Sequence, residues 1–189
     1  MSGEILLVAV VFYTEEAMKK LRIIIFSMMG LVLLTNTAHG QSFASLGGGL
    51  AYGGEIKNVG IQARGDFQFG DYWAVAPHLT YFLPKTVGTE KWNWLSMSVD
   101  VHYLFGESRY LYFYPLAGIN FSYRGIKQGS SDQNESTFGI GADLGFGGVY
   151  EIHRERFIFL EFQYVLFEDE LSQPVISAGM FFGLNGGGW

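Results

Sequence analysis

Hydrolytic chemistry asks for an imidazole, a hydroxyl and a carboxylate within hydrogen-bond reach of one another. Past residue 40 the chain offers three imidazoles, His78, His102 and His153. His78 and Thr80 stand two residues apart, which puts imidazole and hydroxyl on one face of a strand, with Arg64 a candidate neighbour on the next strand. Asp100 and His102 stand in the same relation. Thr is an uncommon nucleophile and neither pair completes a triad, so both read more simply as buried polar pairs, and no catalytic residue is assigned. Cys is absent, which excludes disulfides, a thiol nucleophile, Cys-ligated zinc and a lipid-modified N-terminal Cys. The Gly-rich runs 46–54 and 139–148 lack a P-loop Lys and do not join a strand to a helix. No cofactor or metal is therefore expected, and Gly there relieves crowding. A net charge of −6 and a pI of about 5.1 give no support to nucleic-acid binding.

The elements that carry these residues are strands. In 59–71, Ile61, Ala63, Gly65, Phe67 and Phe69 alternate with Gln62, Arg64, Asp66 and Gln68. Such period-two patterning marks a strand with one apolar and one polar face. Leu95, Met97, Val99, Val101, Tyr103 and Phe105 do the same against Ser96, Ser98, Asp100 and His102. Reading onward predicts eight strands: 42–52, 59–69, 73–83, 93–105, 110–124, 138–151, 157–166 and 174–184. Connections alternate between short ones (near 71, at 106–109 and at 152–156) and longer or more polar ones (53–58, 84–92, 125–137 and 167–173). An all-β, eight-stranded antiparallel up-and-down transmembrane β-barrel has this rhythm, with tight periplasmic turns and longer extracellular loops.

The N-terminus agrees with export. Lys19, Lys20 and Arg22 form a basic region, Ile23 to Leu34 an apolar core too short to span a bilayer, and Ala38 to Gly40 a small-residue cleavage site. Residues 18–40 read as a cleaved signal peptide, 1–17 as an extension from an upstream start codon, and 41–189 as the barrel domain.

A soluble lipocalin-like, ligand-binding barrel would share the strands and the signal. The lysines argue for lipid outside: after residue 40 they are Lys57, Lys85, Lys91 and Lys127, all in predicted long connections. Aromatic residues fall into two belts, as expected at the two membrane interfaces. Trp73, Tyr103, Phe105 and Tyr110 lie near the short-turn end, and Tyr52, Tyr81, Trp92, Trp94 and Tyr123 near the long-loop end. The polar strand residues Arg64, Asp66, His78, Asp100, His102, Asp143 and Glu161 then face a lumen that side chains can fill. Buried charges must pair, so these groups are expected to gather around Arg64 as a plug, and removing Arg64 is expected to open a conducting path.

With the stretch YFYPLAGINFSY at 112–123, the chain resembles the small eight-stranded outer-membrane barrels of the OmpA-domain, OmpX and OmpW kind over residues 42–184. That resemblance implies both termini in the periplasm, outer-membrane lipid as surroundings, and insertion by the outer-membrane assembly machinery, which reads the last strand. The tail from Asn185 to Trp189 departs from the pattern by separating the alternating residues of that strand from the terminal aromatic. The expected role is structural, adhesive or envelope-interacting, without enzymatic activity and with no partner legible in the loops. The alternatives are a narrow small-solute channel, a lipid-modifying enzyme and the soluble barrel.

Overall fold

A computed structural model describes residues 44–88, 90–106, 110–128, 134–153, 155–167 and 172–184. The proposed extension, signal peptide and C-terminal tail lie outside them. Eight strands run in chain order among the described residues: β1 (Ala44–Gly53), β2 (Asn58–Phe69), β3 (Trp73–Val87), β4 (Glu90–Tyr103), β5 (Leu111–Gln128), β6 (Asn134–His153), β7 (Arg156–Phe167) and β8 (Gln173–Gly183). Each is antiparallel to the next, and β1 closes on β8 from Ser45↔Gly183 to Gly53↔Val175, so the sheet is a closed barrel. Closure gives every strand a ladder on both sides, which leaves no edge at the level of the bilayer.

The alternation decides which way each residue points. Ile61, Val101, Ile119, Ile140, Leu160 and Ile176 are exposed on the outer surface, whereas Gln62, Arg64, Ser98, Asp100, Asn120 and Glu161 are buried within. The apolar face is the outer one.

Strand lengths overturn the expected rhythm of turns. The segments 84–92 and 125–137 are for the most part strand: β3 and β4 pair out to Val87↔Glu90, and β5 and β6 out to Lys127↔Asn134. Conversely, β4 and β5 are joined over 104–110, more chain than joins β3 to β4. The extra hairpin residues escape the pattern because alternation needs one apolar environment. Above the bilayer both faces meet water, and Thr86, Lys91 and Ser136 carry no apolar signal.

The result is a lopsided barrel. β5 and β6 have 18 and 20 residues, against 10 in β1 and 12 in β7. Leu184 N donates to Ala44 O at 2.8 Å, so β1 starts where β8 finishes. The tall hairpins rise at the opposite, far end. Their two edges differ. On β3, Asn58 Nδ2 donates to Leu83 O (2.7 Å) and Lys85 Nζ to the carbonyls of Ile56 and Lys57, so side chains cap the edge. On β6 the last pair with β7 is Gly141↔Phe167, and residues 134–140 pair with β5 alone among the described residues.

Candidate functional site

Among the described residues, buried titratable groups gather in the lumen, on walls that come from β2 to β7. Arg64 lies opposite His78 across the β2–β3 ladder. Its Nη2 crosses the lumen to Glu161 Oε2 at 2.9 Å, and the Tyr114 hydroxyl donates to the same oxygen at 3.0 Å. His102 Nδ1 is 3.5 Å from Asp66 Oδ2, and His78 Nδ1 is 3.4 Å from Asp100 Oδ2. The histidines thus pair with carboxylates of other strands. His102 does not serve Asp100, its neighbour two residues earlier, because the barrel's stagger brings β2 to its level. Asp143 is fully buried on β6. Arg64 therefore takes one carboxylate rather than gathering all four. Thr80 accepts a hydrogen bond from Gln62 (3.1 Å) and makes no contact with His78 that would activate it as a nucleophile. Among the described residues no group of three or more His, Cys, Asp or Glu side chains is set to hold a metal ion.

Above this layer Asn120 donates to Ser96 and Ser98 at 2.8 and 2.7 Å, and Ser122 donates back to Asn120 Oδ1 at 2.7 Å. A cavity of about 10 Å³ beside His78, Asn120 and Gln163 has room for one water.

The polar layer lies between two apolar clusters that the polar-lumen expectation does not include. Toward the termini, Leu104, Tyr114, Leu116, Phe157, Phe159 and Phe181 pack together. Toward the far end, Ile56, Phe82, Trp94, Val165 and Val175 do the same, with Phe167 against them. An arginine lies over the rings of each cluster. The Arg64 guanidinium is 4.6 Å from the Phe159 ring and 5.2 Å from that of Phe181, and Arg124 is 5.0 and 5.2 Å from Trp94 and Phe167. Cation–π contact of this kind is strongest where water is excluded.

Two of the belt assignments are corrected. Trp94 is 2% exposed and points inward, where its indole N–H reaches Ser122 Oγ at 3.1 Å. Trp92, two residues earlier, shares that inward side, and its indole N–H reaches Glu90 at 3.1 Å. Residue type favours the belt for both, whereas their spacing from Ser96 and Ser98 puts them inside. Trp73, Tyr103, Phe105, Tyr110, Tyr52, Tyr81 and Tyr123 are exposed on the outer face, and Tyr72, Tyr150 and Tyr164 add to the rings there. Arg124 was missed although it continues the inward series Asn120, Ser122.

Room for the inner rings comes from glycines. A Cβ on Gly147 would lie 2.5 Å from Tyr114 Cζ, one on Gly47 2.8 Å from Phe181 Cδ1, and one on Gly179 2.7 Å from Phe159 Cε1. Gly147→Ala is expected to push Tyr114 off Glu161 and cost about 1–3 kcal/mol of overpacking. Thermal unfolding in detergent should show a lower midpoint, and an unchanged midpoint would mean that Tyr114 is loosely held.

The comparisons with known proteins agree with this architecture. No curated protein sequence matches the chain. Among solved structures it is similar to the attachment invasion locus protein Ail of Yersinia pestis, at 17% identity and a TM-score of 0.56, covering 78% of this chain and 100% of that one. It is similar also to the N-terminal barrel of Pseudomonas aeruginosa OprF (17% identity, TM-score 0.61, 77% and 100% covered). A third is a major outer membrane protein of Thermus thermophilus (11% identity, TM-score 0.59, 77% and 100% covered). At such identities these likenesses speak to the fold. The family model for the outer membrane protein beta-barrel domain matches residues 26–181, most of the chain. This protein therefore belongs to the outer-membrane β-barrel family, and its place is the outer membrane.

Proposed function

We propose that the barrel is a surface-interaction protein of the outer membrane, exported by the segment 18–40, with a closed lumen and a binding element raised above the bilayer. The observation that carries this reading is the lopsided height of the wall, in which β3 to β6 outreach their neighbours. Strands that only span a bilayer need about 9–11 residues. The surplus in β5 and β6 serves nothing within the membrane and lifts a four-stranded sheet out of it. Outer-membrane barrels keep their elaborated ends extracellular, so the far end faces the surroundings. Among the described residues β6 offers there an edge of backbone donors and acceptors to which another chain can add a strand. A conduit would need a continuous polar path, and the two aromatic clusters oppose one. Within the lumen an enzyme would need a nucleophile beside an accessible base, and His78 and His102 are both buried there.

A similar barrel suggests a first probe. Ail has been solved in complex with the heparin analogue sucrose octasulfate, and the far end here carries Lys57, Lys85 and Lys91 alongside Glu55 and Glu90. Cells displaying the full barrel should adhere to heparin-coated surfaces. Cells displaying a version whose β3–β4 and β5–β6 hairpins are cut back to the height of β2 and β7 should not. Equal adhesion by the two, or none by either, would overturn the reading.

A further inference from the structure

Gly118 belongs to the inward series of β5, between Leu116 and Asn120. A glycine inside a strand marks a place where another group needs the room. Its register partners are Asp100 on β4 and Asp143 on β6, so the three residues make one rung of the lumen wall. Asp100 Oδ1 lies over Gly118, on ground that a Cβ would occupy. Two carboxyl groups from the strands on either side of β5 thereby meet in hydrogen-bond contact. Both are fully buried. Donors are scarce around them. Gln163 Nε2 and His78 Nδ1 approach Asp100 Oδ2, at 3.5 and 3.4 Å. Ser98 and Asn120 stand beside Asp143, but the Asn120 amide donates to Ser96 and Ser98. Among the described residues no donor reaches Asp100 Oδ1 or either oxygen of Asp143. Arg64 of β2 holds Glu161 of β7 at 2.9 Å, and His102 faces Asp66. His78 of β3 remains, and β5 contributes Gly118 and Asn120 at this level.

We propose that Asp100 and Asp143 form a proton-binding site, one proton being held between the two carboxyl groups over Gly118. A protonated carboxyl supplies the O–H donor that its neighbour's oxygen lacks, in a charge-assisted bond of the stronger kind. Two ionised carboxylates in contact would repel each other with little water to screen them, and burying a second unpaired charge is very costly. With one proton the pair carries one charge, which Gln163 and His78 meet at Asp100 Oδ2. The two residues then titrate as a unit rather than singly. The site lies inside the closed lumen, so the proton is taken up as the barrel folds. Its loss would set two anions face to face in the polar layer.

The test uses the full chain folded into phospholipid vesicles, read by infrared spectroscopy and by reversible unfolding in guanidinium. At neutral pH the parent should show the carbonyl band of a protonated carboxyl group. Heavy-carbon labelling of the aspartate side chains should shift that band, which assigns it without any substitution. Asp100→Asn and Asp143→Asn should each fold and lose the band, because the amide takes the place of the protonated member and donates to the remaining carboxylate. His78→Gln should keep it. Linkage gives a second reading. A folded barrel holding a proton that the unfolded chain has released loses stability as pH rises. From about pH 5 to 8 the parent's folding equilibrium constant should fall about tenfold more per pH unit than that of Asp143→Asn. No acid band in the parent, a band that ignores the aspartate label, one that survives both Asn substitutions or vanishes in His78→Gln, or equal pH slopes would each overturn the proposal.

Discussion

Arg64→Ala is expected to destabilise the barrel by about 3–5 kcal/mol, the usual consequence of removing one partner from a buried ion pair. The carboxylate left behind is Glu161, 1% exposed and then held only by the Tyr114 hydroxyl. The loss is read from thermal unfolding in detergent. Arg64→Ala combined with Glu161→Gln should recover part of it, because the amide can still accept from Tyr114 and carries no charge to bury. A double variant no better than Arg64→Ala would mean that the arginine acts through its stacking on Phe159 and Phe181 instead. From the sequence alone, this variant is expected to open a conducting path. The aromatic clusters on either side of the polar layer argue against that, since neither is dismantled by the change. Conductance in planar bilayers should be negligible in the parent and stay so in the variant. Steady conductance in the parent would replace the closed-lumen reading with a channel.

Val99→Arg is expected to cost about 2–4 kcal/mol when the protein unfolds from a bilayer, because the charge would meet lipid near mid-strand. Val99 pairs with Pro77 and Ile119 on the outer face. The neighbouring lumen change should be gentler. Ser98 accepts from Asn120 at 2.7 Å, but Asn120 keeps Ser96 at 2.8 Å, so Ser98→Ala should lose about 1 kcal/mol. Equal losses from the two changes would mean that Val99 does not face lipid.

Strand number, antiparallel order and the direction of nearly every side chain were legible in period two. That period is a property of the backbone and survives any detail of packing. The same rule, carried through, would have placed Trp92 and Trp94 inside with Ser96 and Ser98, and Arg124 inside with Asn120 and Ser122. Position in the strand outranks the membrane preference of the residue type. The tall hairpins were illegible for a physical reason, since residues bathed in water on both faces carry no alternation. The pairing of His102 with Asp66 and of His78 with Asp100 was beyond reach as well. Which groups meet across a lumen depends on tilt and stagger, and no spacing within one strand records them.

The fit of rings over glycines has a consequence for how the barrel closes. Phe181 of β8 lies against Gly47 of β1, and Gly179 of β8, which faces Gly49 across the closing ladder, is covered by Phe159 of β7. The Phe181 ring reaches Gly47 only when the first and last strands meet, whereas Phe159 already covers Gly179 across the β7–β8 ladder. Until then the sheet is an open ribbon whose inner cluster is half built and whose Arg64 has no Glu161 within reach. Closure thus gains ladder, ring packing and ion pair in one event, like a latch that engages only at the final turn. Assembly should therefore proceed without a populated half-closed form, and unfolding should begin by parting β1 from β8.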